Sequence, residues 1–365
     1  MEAAQAITEG AVLSGYKFTE FKTKKDELFD VEKVTISMET KNESETKGAV
    51  EGVRVGTIYA NAQNYARTID ERPANIATPM AVAEEAQKDQ LKKMNMGGIL
   101  GVAQASVEPP CLIKLEYNKN NKKYPLYCVV GKGVTFDTGG ISIKPSRNMH
   151  EMKYDKTGAV NVLGIMKAVS ELKLPIRLLG IMAMVENMPS GSAQRPGDIV
   201  KTYNGKTIEV LNTDAEGRMI LADALAYAAE QKPEYMIDMA TLTGAMIVSL
   251  GRHAIGIFTN DDKLATKLNE AGESTYERVW RMPLWPEYGE MMKAEFADLK
   301  NISEIDEAGS LTAAAFLKEF VGETKWAHLD IAAVDTIKWN HDYMGKGATC
   351  TGVRLVTQTL ARMGK

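Results

Sequence analysis

The sequence has 365 residues, of which 44% are hydrophobic and 25% are charged, a composition typical of a globular protein. Its 44 basic and 48 acidic side chains give a formal net charge of −4, and the basic residues are dispersed, which disfavours binding to nucleic acid or to a membrane surface. The sequence has neither a signal-peptide pattern at its start nor the ~18 consecutive apolar residues that span a bilayer. Its three cysteines lack CxxC spacing, so we expect reduced thiols and a cytoplasmic location.

The first part of the chain has mainly helical patterns. Residues 3–13 predict a helix, and residues 23–52, which alternate charged and apolar groups, predict a strand with polar loops. Residues 58–94 favour helix, but Pro73 disfavours helical backbone at the residue before it, so we expect two helices around that break. The apolar positions of the predicted strand are Val31, Val34 and Ile36.

From about residue 50 onward, short apolar runs alternate with helical patterns, as buried strands do when helices cover them. Helical periodicity is clearest at 160–169 and at 220–229. We predict an α/β fold in which a mixed, largely parallel sheet is sandwiched by helices. The predicted strands are 98–102, 126–130, 176–185, 208–211, 236–240, 254–258 and 327–332.

Charged residues and glycines concentrate in the loop that follows the predicted strand at 126–130. This loop carries Lys132, Asp137 and Lys144 among four glycines, which allow the backbone to approach a ligand closely. In open α/β sheets, ligands bind where strands end in loops. We therefore interpret this segment as part of a binding site.

Two further loops carry carboxylates. Asp155 precedes the helix predicted at 160–169, where a helix-capping role worth ~1 kcal/mol is the simpler interpretation of that segment alone. Asp214 and Glu216 lie two residues apart, so their side chains point the same way if the backbone is extended, and Arg218 follows at the same spacing. This second pattern is harder to explain by helix capping.

The three loops together offer mainly carboxylate oxygens and lysines. Such a set suits magnesium, manganese or zinc, and two ions ~3.5–4 Å apart need bridging carboxylates. A phosphate-binding loop is the main alternative, but the GKG tripeptide at 131–133 lacks the spacing of the nucleotide-binding motifs. His150 has no second histidine at position 154, and the serines at 190–192 lack the flanking glycines of a nucleophile elbow.

The segment NTDAEGR at 212–218, together with the MILADAL that follows it, resembles the signature of the leucine aminopeptidase, or cytosol aminopeptidase, family. The segment at 132–144 resembles the second metal-binding motif of that family. The resemblance implies a metallo-exopeptidase-like catalytic domain at 51–365, on which an N-terminal helix and connecting segment at 1–50 are packed. Further similar stretches, which extend the resemblance over nearly the whole chain, lie at 186–191, 195–198, 241–245 and 325–332.

The resemblance implies a set of five metal ligands. Asp137 and Glu216 would bridge two divalent cations, Asp214 would complete the looser site, and Lys132 and Asp155 would complete the tighter one. A lysine ligand must be a neutral amine, so the cations would have to lower its pKa far below ~10.4. The cations would be zinc or manganese, with magnesium and cobalt as further alternatives.

The resemblance also implies the reaction. Two metal ions would lower the pKa of a shared water and bind the free amino group of a peptide, whose N-terminal peptide bond is then hydrolysed. Lys144 would stabilise the tetrahedral oxyanion by its charge, and Arg218 would hold a bicarbonate ion that transfers the proton. The residues assigned to substrate binding are Met152, Thr241, Leu242 and Gly244.

The sequence departs from the family pattern at two places. Asp335 stands where an apolar pocket residue is expected, which disfavours a strict preference for leucine. The chain also begins near the helix that connects the N-terminal domain of the family to the catalytic domain. The resemblance further implies a homo-oligomer, which is a hexamer in the family. Two alternatives stay open: a catalytically idle relative that binds DNA or acts as a scaffold, and another two-metal hydrolase such as a phosphoesterase.

Overall fold

A computed structural model of the chain describes residues 1–23, 34–37, 42–84, 94, 96–338 and 343–364. Within these ranges the strands are β1 Cys111–Tyr117, β2 Leu126–Asp137, β3 Arg177–Asn187, β4 Ile199–Lys201, β5 Thr207–Glu209, β6 Tyr235–Ala240, β7 Ile255–Thr259, β8 Val279–Arg281, β9 Leu299–Lys300, β10 Trp326–Asp330, β11 Thr336–Ile337 and β12 Gly347–Ala348.

Helices connect most of these strands. They are α1 Glu2–Ser14, α2 Glu43–Glu71, α3 Pro79–Glu84, α4 Gly97–Ala103, α5 Thr157–Leu172, α6 Glu216–Glu230, α7 Gly244–Leu250, α8 Asp262–Thr275, α9 Pro286–Glu290, α10 Gly309–Lys318 and α11 Val353–Met363, with a 3₁₀ helix at Met149–Lys156. No helix among the described residues is both long and apolar enough to cross a membrane.

Seven strands form the central sheet in the order β1-β3-β2-β6-β10-β7-β8. The four central strands β3, β2, β6 and β10 run parallel, whereas β1 and β7 pair antiparallel with their inner neighbours. The sheet is therefore mixed and largely parallel, as the sequence predicts. The carboxyl ends of the four central strands lie at one edge, so the loops after them meet there.

Helices cover both faces of the sheet, which confirms the predicted α/β sandwich. On one face, α2, α5 and α11 bury apolar side chains such as Ala66, Ile165 and Val356 in one core. On the other, α4 and α6 contribute Ile99 and Leu225 to a second core. Successive residues of β2 serve the two cores in turn because side chains alternate along a strand.

Most predicted elements are confirmed, including both periodic helices, which are α5 and α6. The strand predicted at 126–130 continues to Asp137 as β2, so Lys132 and Asp137 lie in this strand and not in the loop after it. The predicted strand at 98–102 is wrong, because these residues form α4. A short apolar run fits a buried helix as well as a strand, and the predicted pattern did not separate the two. The strand with polar loops predicted at 23–52 is wrong where it can be judged, because Val34 and Ile36 lie outside regular secondary structure and the chain is helical from Glu43 onward, in α2. Val31 lies outside the described residues.

The predicted break between two helices is confirmed. α2 ends at Glu71, and Arg72 has extended backbone angles of φ −64° and ψ 133° directly before Pro73. The proline ring clashes with helical backbone at the preceding residue, which explains why the helix stops there. α3 begins after the break, at Pro79.

Gly158 gives a test of how closely α5 packs on the sheet. A Cβ atom at this position would lie 2.2 Å from the carbonyl oxygen of Met239 and 2.9 Å from the amide nitrogen of Lys132. We expect Gly158→Ala to lower the free energy of unfolding by roughly 1–3 kcal/mol, because backbone would have to move to admit the methyl group. Thermal and urea denaturation measure the change, with Gly191→Ala as control, since that position has open space around it. Equal stability of both variants would contradict this packing.

Candidate functional site

The candidate site lies at the carboxyl edge of the central strands. Asp137 is the last residue of β2, Asn187 is the last residue of β3, and Thr241 follows β6 directly. Asp214 and Glu216 come from the turn that leads into α6, and Asp155 comes from the 3₁₀ helix before α5. Segments far apart in the sequence therefore meet at this edge.

Three carboxylates form the centre of the site. One oxygen from each of Asp137, Asp214 and Glu216 can be chosen so that all three lie within 4.8 Å of one another. The side chains of Asp137 and Glu216 are almost fully buried, whereas that of Asp214 is about one-third exposed. Burial raises the pKa of Asp137 and of Asp214, and the charge of a neighbouring carboxylate raises each further.

The two lysines predicted for the site neutralise part of this charge. Lys132 Nζ lies 2.7 Å from Asp155 Oδ1 and 2.9 Å from Glu216 Oε1, and it donates to the carbonyl oxygen of Thr241 at 2.8 Å. Burial disfavours its charged form, but the adjacent carboxylates raise its pKa above the ordinary value. Lys132 could therefore act as a metal ligand only after a cation displaced its proton.

Lys144 lies on the other side of the carboxylates. Its Nζ is 2.7 Å from Asp137 Oδ2 and also forms an ion pair with Asp214. About one-fifth of its side chain is exposed to the cavity and solvent, in contrast to the buried Lys132. This position leaves the Lys144 ammonium able to meet a bound molecule.

Asp155 does not cap α5, which corrects the simpler interpretation of its segment. The residue at the N-cap position is Lys156, and no side chain caps this helix end. Asp155 Oδ1 instead accepts hydrogen bonds from Lys132 and, at 2.7 Å, from Thr241 Oγ1. Its Oδ2 is buried and has no hydrogen-bond partner among the described residues. A buried carboxylate oxygen of this kind is available to a cation.

Arg218 lies beside the carboxylates on the first turn of α6. Its side chain is buried, Nη1 donates to the carbonyl oxygen of Asn301 at 2.7 Å, and Nε has no partner within the described part of the chain. Burial lowers the pKa of Arg218 to about 10, so the guanidinium is still charged at neutral pH. A buried cation with an unused N–H donor suits a small anion.

Every residue that the sequence predicts for the site lines one cavity of about 390 Å³. This cavity brings together the five predicted metal ligands, the two predicted catalytic residues and the four residues assigned to substrate binding. In chain order they are Lys132, Asp137, Lys144, Met152, Asp155, Asp214, Glu216, Arg218, Thr241, Leu242 and Gly244. The role of each residue stays a prediction.

The sequence did not single out several residues that support the site. Asn187 Nδ2 donates to Asp137 Oδ1 at 2.8 Å and to the carbonyl oxygen of Thr213 at 3.1 Å. Asp330 accepts from Thr243 Oγ1 at 2.6 Å and so holds the loop after β6. Their position in the sequence could have identified Asn187 and Asp330, because each is the polar last residue of an apolar strand.

The residues fit a pair of divalent cations. The oxygen donors come from four carboxylates, one of which has an unpaired buried oxygen, and such hard ligands suit zinc, manganese or magnesium. The ion pairs of Lys132 and Lys144 with these carboxylates also favour cation binding. Buried carboxylates need positive charge nearby, which a metal ion can supply.

Comparison with known proteins gives consistent matches. The model of the catalytic domain of the cytosol aminopeptidase family matches residues 59–357. A protein from Roseiflexus castenholzii named probable cytosol aminopeptidase is 46% identical in an alignment of 377 positions, which covers 98% of this chain and 76% of the relative. A protein of the same name from Aquifex aeolicus is 43% identical, with 99% of this chain and 75% of the relative covered.

A solved structure is also similar to this chain over nearly its whole length. The bottromycin maturation enzyme BotP in complex with Mn superposes with a TM-score of 0.90 at 33% sequence identity. The match covers 99% of this chain and 80% of BotP.

The hydrogen bond from Asn187 to Asp137 can be tested as a determinant of cation affinity. We expect Asn187→Ala to weaken Mn²⁺ binding about 10–100-fold, because partners that orient a ligand contribute on that scale. Calorimetric titration of the metal-free protein with Mn²⁺ measures the effect. Asn260→Ala is the matched control, since the Asn260 side chain likewise makes two hydrogen bonds, both of them with backbone, but Asn260 follows β7 and does not line the cavity. Equal Mn²⁺ affinities for both variants would contradict a positioning role for Asn187.

Proposed function

This chain belongs to the cytosol aminopeptidase family, and we propose that the cavity at the carboxyl edge of its central sheet is the active site. The resemblance seen in the sequence is thereby confirmed. The protein is a metal-dependent hydrolase of the leucyl aminopeptidase type, which removes the N-terminal residue of a peptide. The observation that carries the proposed site is the mutual distance of at most 4.8 Å among carboxylate oxygens of Asp137, Asp214 and Glu216.

We assign the cation ligands as the family pattern implies. Asp137 and Glu216 would bridge the two ions, Asp214 would complete one site, and Lys132 with Asp155 would complete the other. The unpaired Oδ2 of Asp155 supports this assignment. Manganese is the first ion to test because BotP, a structural neighbour, is described with Mn, and zinc is the second, with magnesium and cobalt as further alternatives.

The two lysines of the site have different proposed roles in hydrolysis. When bound, the cations would supply the Lewis acidity that polarises the peptide carbonyl and acidifies the attacking water. Lys144 is the partly exposed lysine of the pair, and its ammonium would stabilise the oxyanion that develops on the carbonyl. Buried Lys132 is held by two carboxylates and a backbone carbonyl, which suits a ligand better than a mobile cation.

Arg218 is the residue that we propose for bicarbonate binding. Its guanidinium is fixed by Asn301 and has a buried Nε without a partner among the described residues. The planar arrangement of its N–H groups matches a planar anion. Bicarbonate held by Arg218 would supply a proton acceptor beside the proposed cation ligands.

The side chain of the substrate's first residue would lie against Met152, Thr241, Leu242 and Gly244, which line the same cavity. Peptides with a free amino group are thus the expected substrates. From the family resemblance we further propose a homo-oligomer, with a hexamer as the expected size, and a cytoplasmic location.

The first experiment tests the activity itself. The protein loaded with Mn²⁺ or Zn²⁺ is expected to hydrolyse aminoacyl-arylamides and to lose this activity on chelation, because the cations polarise the carbonyl. N-acetylated arylamides are the control and are expected to be inert. Turnover of phosphoesters without release of arylamine would favour the phosphoesterase alternative, and DNA retention by an inactive protein would favour the non-enzymatic one.

Variants of the proposed ligands separate cation binding from turnover. We expect Glu216→Ala to lose cation and activity together, because Glu216 would bridge both ions. Lys144→Ala is expected to keep the cations but to lower kcat about 10²–10³-fold through loss of oxyanion stabilisation. Metal analysis and arylamide kinetics measure the two effects.

Glu230→Ala is the matched control for Glu216→Ala, because Glu230 ends the same helix α6, and its exposed carboxylate accepts a hydrogen bond from Tyr203 at 2.7 Å. We expect it to retain both cations and full activity. Two ions still bound to Glu216→Ala would exclude the bridging role.

A further inference from the structure

Asp335 is a carboxylate of the cavity that the proposed mechanism does not use. It lies in the loop after β10, which also brings Ala332 to the cavity wall. Ile247 of α7 lines the wall as well. The side chain of Asp335 is about one-fifth exposed, so it can be reached from the cavity although most of it is buried.

The partners of Asp335 leave part of its hydrogen-bonding capacity unused. The carboxylate accepts from Thr336 Oγ1 at 3.1 Å and from the backbone amide of Thr336. The nearest cation, Arg252 Nη1, lies 3.7 Å away, and its own hydrogen bonds go to the carbonyl and hydroxyl oxygens of Thr336 instead. An ionised carboxylate has about four acceptor positions. Asp335 can therefore accept a further donor from inside the cavity.

Asp335 is negatively charged at neutral pH. Burial raises its pKa to about 6, and the nearby Arg252 opposes that rise. Glu151 is the other carboxylate of this wall, but it is paired with Lys338 at 2.9 Å. Asp335 is thus the carboxylate of the wall with the weaker cation partner.

Apolar side chains line the same cavity as Asp335 and the proposed cation ligands. They are Met152, Leu242, Ile247 and Ala332. A long side chain with an apolar stem and a cationic end matches such a wall, because the stem packs on carbon atoms while the charge reaches the carboxylate. A leucine side chain would cover the wall but leave the Asp335 carboxylate without a new partner.

We propose that Asp335 determines specificity and selects substrates whose first residue is lysine or arginine. The inference rests on the proposed function, since it assumes that this cavity binds the N-terminal side chain. The Asp335 carboxylate would accept hydrogen bonds from the substrate's ammonium or guanidinium group. Asp335 takes no part in bond breaking, so its effect belongs to binding of the side chain.

The experiment compares lysyl-, arginyl- and leucyl-arylamides on the Mn²⁺-loaded protein. We expect the wild type to have a higher kcat/KM for the two basic substrates than for the leucyl substrate. Asp335→Asn is expected to lower kcat/KM for the basic substrates about tenfold or more, mainly through KM, because a hydrogen bond to a charged group is lost. The leucyl substrate is expected to be unaffected or improved. Comparing the lysyl and arginyl series shows which cation fits better.

Arg252→Gln distinguishes recognition from a structural ion pair. Removing Arg252 frees the Asp335 carboxylate, so at a pH well above the pKa of Asp335 we expect the ratio of lysyl to leucyl kcat/KM to rise, opposite to its fall in Asp335→Asn. If the pair served only to fix the loop, both variants would disturb it in the same way. Glu151→Gln is the matched control, because it removes the other carboxylate of the wall, and it is expected to leave the ratio nearly unchanged.

The outcomes separate this inference from the proposed function. An unchanged lysyl-to-leucyl ratio in an Asp335→Asn variant that still hydrolyses the leucyl substrate would overturn the specificity role alone. A fall of the ratio in Arg252→Gln as well would overturn it too. Absence of any arylamide turnover by the wild type would overturn the proposed function and this inference with it.

Discussion

Mutual repulsion among buried carboxylates is the constraint on which this site depends. Asp137, Asp155, Asp214 and Glu216 come together at the edge of the sheet, and burial raises the pKa of the three aspartates. Two lysine ammonium groups offset part of the four negative charges. Such an arrangement is stable only with strong compensation, and divalent cations supply it more effectively than lysines because they carry two charges in a small volume.

The fold holds these charges together against their repulsion. Parallel strands bring Asp137 and Asn187 to the same edge, where the Asn187 amide fixes one carboxylate oxygen. Gly139 has φ of +86°, and a Cβ atom there would lie 2.8 Å from Asp214 Oδ1, so glycine lets the loop after β2 pass close to the ligand turn. Apolar cores on both faces of the sheet support this edge, which explains why polar groups can be placed so accurately.

The same cavity is lined by two chemically different sets of side chains. The carboxylates, the two lysines and Arg218 form a charged set, to which we assign the reacting peptide bond. Met152, Leu242, Ile247 and Ala332 are apolar, and together with Asp335 they form the set to which we assign the side chain of the substrate's first residue. Under this proposal the reaction and the substrate preference depend on different residues, so a substitution at Asp335 would change specificity without changing the reaction.

The sequence by itself determined the fold class and the family, and it predicted residues that line one cavity, because apolar periodicity and the ligand motifs at 132–144 and 212–218 are local patterns. Tertiary structure decided what depends on contacts between distant segments. The apolar run at 98–102 forms the helix α4, which packs on α6. A short sequence pattern does not report this contact. Tertiary structure also places the Asp155 carboxylate in contact with Lys132 rather than at the N-cap of a helix. It places the Asp335 carboxylate 3.7 Å from Arg252. The physical reason is that charge pairing acts through space, whereas sequence patterns report only neighbours along the chain.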